Sequence, residues 1–268
     1  VLGEFVRPDG VNPVISPLDT EFDCPMAKTK IKWEESDTFN PAATIKDGKI
    51  VVLYRAEDNS AQGIGKRTSR VGYAESEDGI KMIRRSEPVL FPAEDNSKEI
   101  EWPGGCEDPR VAMTEDGLYV LLYTAWNRHI PRLAVATSRD LIKWEKHGLA
   151  FGKAYNGRFR DLACKSASTV NKIKDGKMIM EKIDGKYFMY WGEDAVYAAT
   201  SDNLIDWQPV LDKNNNLKKL LQPRRGFFDS KLTECGPPAL ITKDGIVLLY
   251  NGKNGKHENY EGDWNYPE

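Results

Sequence analysis

Seven consecutive residues, Gly104-Gly105-Cys106-Glu107-Asp108-Pro109-Arg110, put two carboxylates and a guanidinium beside a glycine pair and a proline, just before an apolar run. Neighbouring acids can give and take a proton, and a guanidinium can hold hydroxyls or an anion. The glycines permit backbone angles closed to other residues, while Pro109 fixes its own φ and disfavours the helical region at Asp108. The sequence therefore predicts an extended Asp108 on a stiff loop leading into a strand. The alternative is a tight turn carrying a solvated surface ion pair.

The elements that must carry this loop follow from a recurring pattern. Asp-Gly turns occur at Asp47-Gly48, Asp116-Gly117, Asp184-Gly185 and Asp244-Gly245, spaced by 69, 68 and 60 residues. Asp-Gly between apolar runs supplies the positive φ angles of a tight hairpin. Each turn precedes a β-rich run: Ile50-Val51-Val52-Leu53-Tyr54, Tyr119-Val120-Leu121-Leu122-Tyr123, Tyr187-Phe188-Met189-Tyr190-Trp191 and Ile246-Val247-Leu248-Leu249-Tyr250. After three of these runs comes a further strand ending in a second turn, around Ser76, Ser138 and Ser201. In two copies a tryptophan follows at equal distance, Trp144 and Trp207, as packing between neighbouring units. Antiparallel units repeated in this way predict an all-β fold, a β-propeller whose inner-strand loops converge at one mouth of a central channel. The chain is expected to form a single propeller domain over 1–268, with its C-terminal blade truncated: the fourth unit stops at Glu268 before its outer strands.

Composition narrows the function classes. With 40% hydrophobic residues among 268 the chain can bury a sizeable core, and a net charge of −3 with both signs mixed argues against a nucleic-acid groove. No run of about 18 apolar residues exists to span a bilayer. The four cysteines and three histidines lack metal-ligand or C-x-x-C spacing, so neither a zinc site nor a disulfide framework is expected, and no cofactor is called for. The expected role of the cysteines is to fill small buried spaces. Free thiols fit the cytoplasm, the start at Val1 leaves the periplasm open, and oligomeric state is not legible.

The segments before the inner strands would deliver Asn40, Asp108, Arg110, Lys165 and Glu234 to one polar cavity, joined by Arg55, Glu57 and Asp58 from the first hairpin. Such a set suits a sugar. Amides, carboxylates and guanidinium groups bond hydroxyls, while Tyr54, Trp126 or Trp191 could stack on a ring face. Gly63-Ile64-Gly65-Lys66-Arg67-Thr68 lacks the spacing of a phosphate loop and is expected to be a loop beside the cavity, its basic residues able to touch an outer sugar. The aromatic and acidic stretch 258–266 is either a second substrate-facing loop or a surface loop.

The combination of Phe39-Asn40-Pro41-Ala42, Tyr54-Arg55-Ala56-Glu57-Asp58, Gly105-Cys106-Glu107-Asp108-Pro109-Arg110, Ser138-x-Asp140-Leu141-Ile142-x-Trp144, Gly236-Pro237-Pro238 and Tyr250-Asn251-Gly252 resembles glycoside hydrolase family 130. That resemblance implies a five-bladed propeller acting on β-mannoside oligosaccharides, as an inverting phosphorylase or, in a minority of members, a hydrolase. It implies Asp108 as general acid and Asn40, Arg55, Asp58 and Lys165 as sugar-binding groups, and Arg110, from its place at the same cavity, is expected to bind substrate with them. Phosphorylases carry Tyr-His-Gly where this chain has Tyr250-Asn251-Gly252, and an arginine in the run where it has Leu232-Thr233-Glu234-Cys235-Gly236. A carboxylate there repels phosphate and suits a base that activates water. The expectation is thus a β-1,2-mannosidase with Glu234 as general base; a phosphorylase and a non-catalytic sugar-binding propeller are the alternatives.

Overall fold

The computed structural model describes residue 6 and residues 8–255. Strands β1 (Leu18–Cys24) and β2 (Thr29–Glu34) form an antiparallel hairpin of their own. The first four-stranded meander follows: β3 (Asp37–Lys46), β4 (Lys49–Glu57), β5 (Ser69–Ser76) and β6 (Ile83–Arg84). Helix α1 (Lys98–Glu101) leads into the second, β7 (Gly105–Met113), β8 (Tyr119–Trp126), β9 (Pro131–Ser138) and β10 (Glu145–Leu149). The fold is all-β, and no helix among the described residues is long and apolar enough to cross a membrane.

The third unit is less regular. Its inner strand β11 (Ala167–Lys174) pairs first with β14 (Lys186–Trp191) and farther along with β12 (Lys177–Met180), through an additional turn at Asp175-Gly176 that the four-turn pattern passes over. Strand β13 (Lys182–Ile183) then closes the expected Asp184-Gly185 hairpin onto β14, and β15 (Tyr197–Ser201) and β16 (Trp207–Pro209) complete the meander.

The fourth unit corrects the expectation of one continuous strand over 246–250. Its inner side is split into β17 (Leu232–Cys235) and β18 (Ala239–Thr242), and its outer side into β19 (Gly245–Val247) and β20 (Tyr250–Lys253). Pro237 and Pro238 have no amide hydrogen for a ladder. Gly236 donates instead to the Leu249 carbonyl at 3.0 Å, and a Cβ at Gly236 would come within 2.7 Å of that oxygen.

An inner strand takes part in each parallel contact between successive units. Parallel contacts join Ser69 of β5 to Gly105 of β7, Met113 of β7 to Ile179 of β12, and Val170 of β11 to Ala239 of β18. Side chains alternate across a strand, and β8 is buried on both faces. Leu121 and Tyr123 enter a cluster with Leu53 and Val71 of the first unit, while Val120 and Leu122 enter one with Met189 and Trp191 of the third. The β1–β2 hairpin closes the first unit's other side, with Phe22 and Trp33 against Tyr54 and Ala74. All four cysteines are free and buried, as space-filling residues should be.

The second turn of each unit is built the same way three times. Ser138 Oγ accepts from the amides of Asp140 and Leu141, and Asp140 Oδ1 accepts from those of Ile142 and Lys143. Ser76 with Asp78, and Ser201 with Asn203, repeat these bonds. The residue after the acid or amide has positive φ in every copy: Gly79, Leu141 and Leu204. Trp144 and Trp207 each donate Nε1 to the carbonyl three residues earlier, at 3.1 and 3.0 Å, and pack into the inter-unit clusters.

Candidate active site

One irregularity, used twice, aims the site. In β3–β4 the register runs Phe39 to Arg55 and then Ala42 to Leu53; in β7–β8 it runs Glu107 to Thr124 and then Arg110 to Leu122. Each inner strand thus carries one extra residue, a bulge that turns a side chain out of the sheet. The turned residues are Asn40 and Asp108, with φ of 44° and 47°. This overturns the expectation of an extended Asp108. A residue before proline avoids the helical regions on local grounds, and a non-glycine residue in the left-handed region costs on the order of 1–3 kcal/mol. Tertiary bonds hold it: Asp108 Oδ1 accepts from Asn40 Nδ2 at 2.8 Å and Arg55 Nη1 at 3.0 Å. Ser166, φ 60°, has the same conformation just before β11.

Arg55 is the hub of a buried network. Besides Asp108 it reaches Glu57 Oε1 at 2.5 Å and Glu107 Oε1 at 2.8 Å through Nη2, and Ser69 Oγ at 3.0 Å through Nε. Gly105 brings Ser69 here: the β5 and β7 backbones meet so closely that a Cβ at Gly105, φ 110°, would lie 2.1 Å from the Ser69 carbonyl oxygen. Behind the loop, Glu101 of α1 accepts from Tyr123 Oη at 2.7 Å and Lys146 Nζ at 2.6 Å, which fixes the helix against β8 and β10.

The electrostatics separate the adjacent acids. Burial opposes ionisation of Asp108, but the Arg55 charge and the Asn40 and Arg55 hydrogen bonds outweigh it and hold this carboxyl below its ordinary value. For Glu107 burial prevails over Arg55, assisted by the negative charges of Asp108 and Glu57, and the carboxyl is pushed up to about 7.

The other expected site residues take distinct places. Glu234 lies in β17, where its Oε1 accepts from the Ser166 hydroxyl. Lys165 is ion-paired with Glu193 at 3.1 Å; burial lowers its proton affinity, and Glu193, then the charges of Asp108 and Glu234, more than restore it. Arg110 donates to the Gly236 carbonyl at 3.2 Å, linking β7 to the fourth unit. Asp58 is engaged by Arg70 Nη1 at 2.8 Å and by the amides of Ser60 and Thr68 at 3.0 and 3.3 Å, bracing the loop between β4 and β5. In that loop Arg67 pairs with Asp37 and Lys66 is exposed, while Arg70, in β5, is buried against Asp58.

Two of the three aromatic residues expected to stack on sugar do not. Tyr54 and Trp191 are each 2% exposed. Tyr54 donates to Glu34 at 2.8 Å within the first-unit core, and Trp191 stacks on Tyr197 with ring centroids 4.7 Å apart. Trp126 is half-buried and donates Nε1 to the Gly65 carbonyl at 2.8 Å. The segment 258–266 lies outside the described residues. Sequence reasoning assigned no roles to Ser69, Ser166 and Glu193. Only Ser166 carried a signal, its place before an inner strand matching those of Asn40 and Asp108.

Carboxylates, an amide, a guanidinium and an ammonium group stand at the inner strands of an all-β repeat, donors and acceptors of the kind that bond sugar hydroxyls. The chain belongs to the glycoside hydrolase 130 family, whose model, described as beta-1,4-mannooligosaccharide phosphorylase, matches residues 12–262. A 1,2-beta-oligomannan phosphorylase of Thermoanaerobacter sp. (strain X514) is 32% identical over 84% of this chain and 68% of its own length. A candidate glycoside hydrolase from Parabacteroides distasonis ATCC 8503 superposes with a TM-score of 0.95 at 68% identity, over 96% of this chain and 74% of that one. Another solved structure comes from work stating that the GH130 family of mannoside phosphorylases contains glycoside hydrolases that target beta-1,2 mannosidic linkages in Candida mannan. It is 61% identical, with a TM-score of 0.95, over 96% of this chain and 72% of that one.

Proposed function

We propose that the protein is an inverting glycoside hydrolase releasing mannose from β-1,2-linked mannosides, with Asp108 as general acid and Glu234 as general base, on a five-bladed propeller to which residues 1–268 contribute as one domain. The observation that carries this reading is the carboxylate of Glu234, held by the Ser166 hydroxyl and sharing the field of Lys165 with Asp108. It occupies the run in which the resemblance leads one to expect an arginine for phosphate. The 61% identity to a structure from work on β-1,2-mannoside hydrolases supports the same side.

In this mechanism Asp108 gives its proton to the glycosidic oxygen, directly or through a mannose hydroxyl, as the bond to the anomeric carbon breaks. Glu234 takes a proton from water as that water's oxygen bonds the opposite face of the same carbon, inverting the configuration. Asp108 rests ionised at neutral pH, so substrate must restore its proton affinity. A sugar seated on the carboxylate completes its burial and competes for the Asn40 amide, and both effects favour the protonated form. Asn40, Arg55, Asp58, Arg110 and Lys165 are assigned to sugar binding.

The test is mannose release from β-1,2-mannobiose by wild type, Asp108→Asn and Glu234→Gln. Removal of an acid or a base lowers the rate by about 10²–10⁴-fold. Equal mannose release by wild type and Asp108→Asn would remove the acid assignment, no release by wild type would leave a sugar-binding protein, and full activity in Glu234→Gln would remove the base assignment alone. The phosphorylase reading draws on the 32% identical relative, and product analysis decides it.

A further inference from the structure

We propose that Glu57 and Glu107 hold one proton between them in the resting protein, which makes Glu107 a positioning residue that leaves the Arg55 charge to Asp108. This rests on the assignment of Asp108 as general acid. Two carboxylate oxygens, one from β4 and one from β7, compete for the same donors: Arg55 Nη2 meets Glu57 Oε1 at 2.5 Å and Glu107 Oε1 at 2.8 Å, and Ser69 Oγ meets the same two atoms at 3.1 and 3.3 Å. The oxygens are therefore close neighbours in a site removed from water, with Glu57 0% exposed and Glu107 7%.

The charges facing this pair do not balance. Strand β4 supplies Arg55 and Glu57, β7 supplies Glu107 and Asp108, β5 supplies the neutral Ser69, and β3 supplies the neutral Asn40 beside Asp108. The loop before β5 brings Arg67, whose Nη1 lies 3.7 Å from Glu57 Oε2 but is committed to Asp37. Lys165 acts on Asp108 from farther off. Arg55 thus serves three carboxylates, Arg67 is divided between Glu57 and Asp37, and Glu57 Oε2 is buried with no hydrogen-bond partner. Two buried carboxylates that draw on the same guanidinium and the same hydroxyl raise the cost of a second negative charge, and a proton on one relieves that repulsion. The elevated proton affinity of Glu107 agrees with this geometry.

With the proton present, Arg55 is free to answer Asp108. Once it is lost, a further negative charge competes for Arg55, and the Arg55–Asp108 bond that sets the acid weakens. The experiment is an infrared pH titration of the resting full chain, without substrate, following the carbonyl band of a buried carboxylic acid. Wild type should show a band that disappears around neutrality, and both Glu107→Gln and Glu57→Gln should lack it. The kcat/KM profile of Glu107→Gln should lose the inflection that wild type shows in the same range. An unchanged band in Glu107→Gln, or no protonated carboxyl titrating near neutrality in wild type, overturns the shared proton. Failure of the acid assignment would show differently, as equal mannose release by Asp108→Asn and wild type with the infrared result intact.

Discussion

Arg55 holds its place through four side-chain partners on three strands, and its removal leaves Glu57, Glu107 and Asp108 as buried acids without their shared cation. Breaking a buried ion pair from one side costs about 3–5 kcal/mol. Arg55→Met should therefore lower the urea-unfolding free energy by that amount, whereas Asn40→Ala, which deletes one hydrogen bond, should cost about 1–3 kcal/mol. If Arg55→Met unfolds as wild type does, the network is not integral to the fold. Stability should also depend on pH through Glu107. Its proton affinity rises on folding, so its contribution is complete below the ordinary value of 4.5 and lost as pH rises through about 7. The loss is on the order of 3 kcal/mol. Asp108 has the opposite sign: its contribution is present above its ordinary value of 3.8 and lost as pH falls below it. Urea midpoints across this range should decline toward neutral pH in wild type and flatten in Glu107→Gln. Glu101, whose carboxyl burial also raises, remains to give a residual slope.

At the scale of the element, the three identical turns and the two identical bulges differ in how well the sequence announced them. Ser-x-Asp or Asn followed at fixed distance by tryptophan is a local device, made of side chains bonding amides two and three residues ahead, and local chemistry is legible in order of residues. Asn203 does in the third unit what Asp140 does in the second, so Asp140→Asn should be nearly silent while Asp140→Ala, losing both amide bonds, should cost about 1–2 kcal/mol by thermal or chemical unfolding. Equal destabilisation by the two would mean that charge, not the bond pattern, matters. The bulge at Asp108-Pro109 misled because proline's local preference points to extended backbone, and only the distant Asn40 and Arg55 reverse it. Tyr54 and Trp191 misled for a related reason: aromatic residues at strand ends could face the mouth or the neighbouring unit, and residue type does not choose between them. The break in the fourth unit was missed although Pro237 and Pro238, which do not fit a central ladder, signalled it.

Across the whole molecule, the inner strands of four units carry the candidate groups to one region, and the balance of charge there bears on which nucleophile can enter. Asp108, Glu107, Glu57, Glu193 and Glu234 are set against Arg55, Lys165 and Arg110, and two of these cations are already committed to carboxylates, Arg55 to three and Lys165 to Glu193. A phosphate dianion needs cations that are not already answered. Beside a carboxylate at about 4 Å it meets a repulsion of roughly 1–4 kcal/mol per unit charge pair, for effective dielectrics between water and a protein surface. Water needs only the base. The expected outcome is mannose as product at a rate that added inorganic phosphate does not raise, with the α-anomer appearing first by NMR. Stimulation by phosphate with mannose 1-phosphate as product would show that the mouth gathers enough positive charge to hold the dianion, and would place this chain with its phosphorylase relatives. Glu234→Gln separates the contributions further: it removes one repulsive charge and the base together, so hydrolysis should fall while any inhibition by phosphate tightens. Phosphate inhibition no tighter than in wild type would mean that Glu234 does not face the nucleophile.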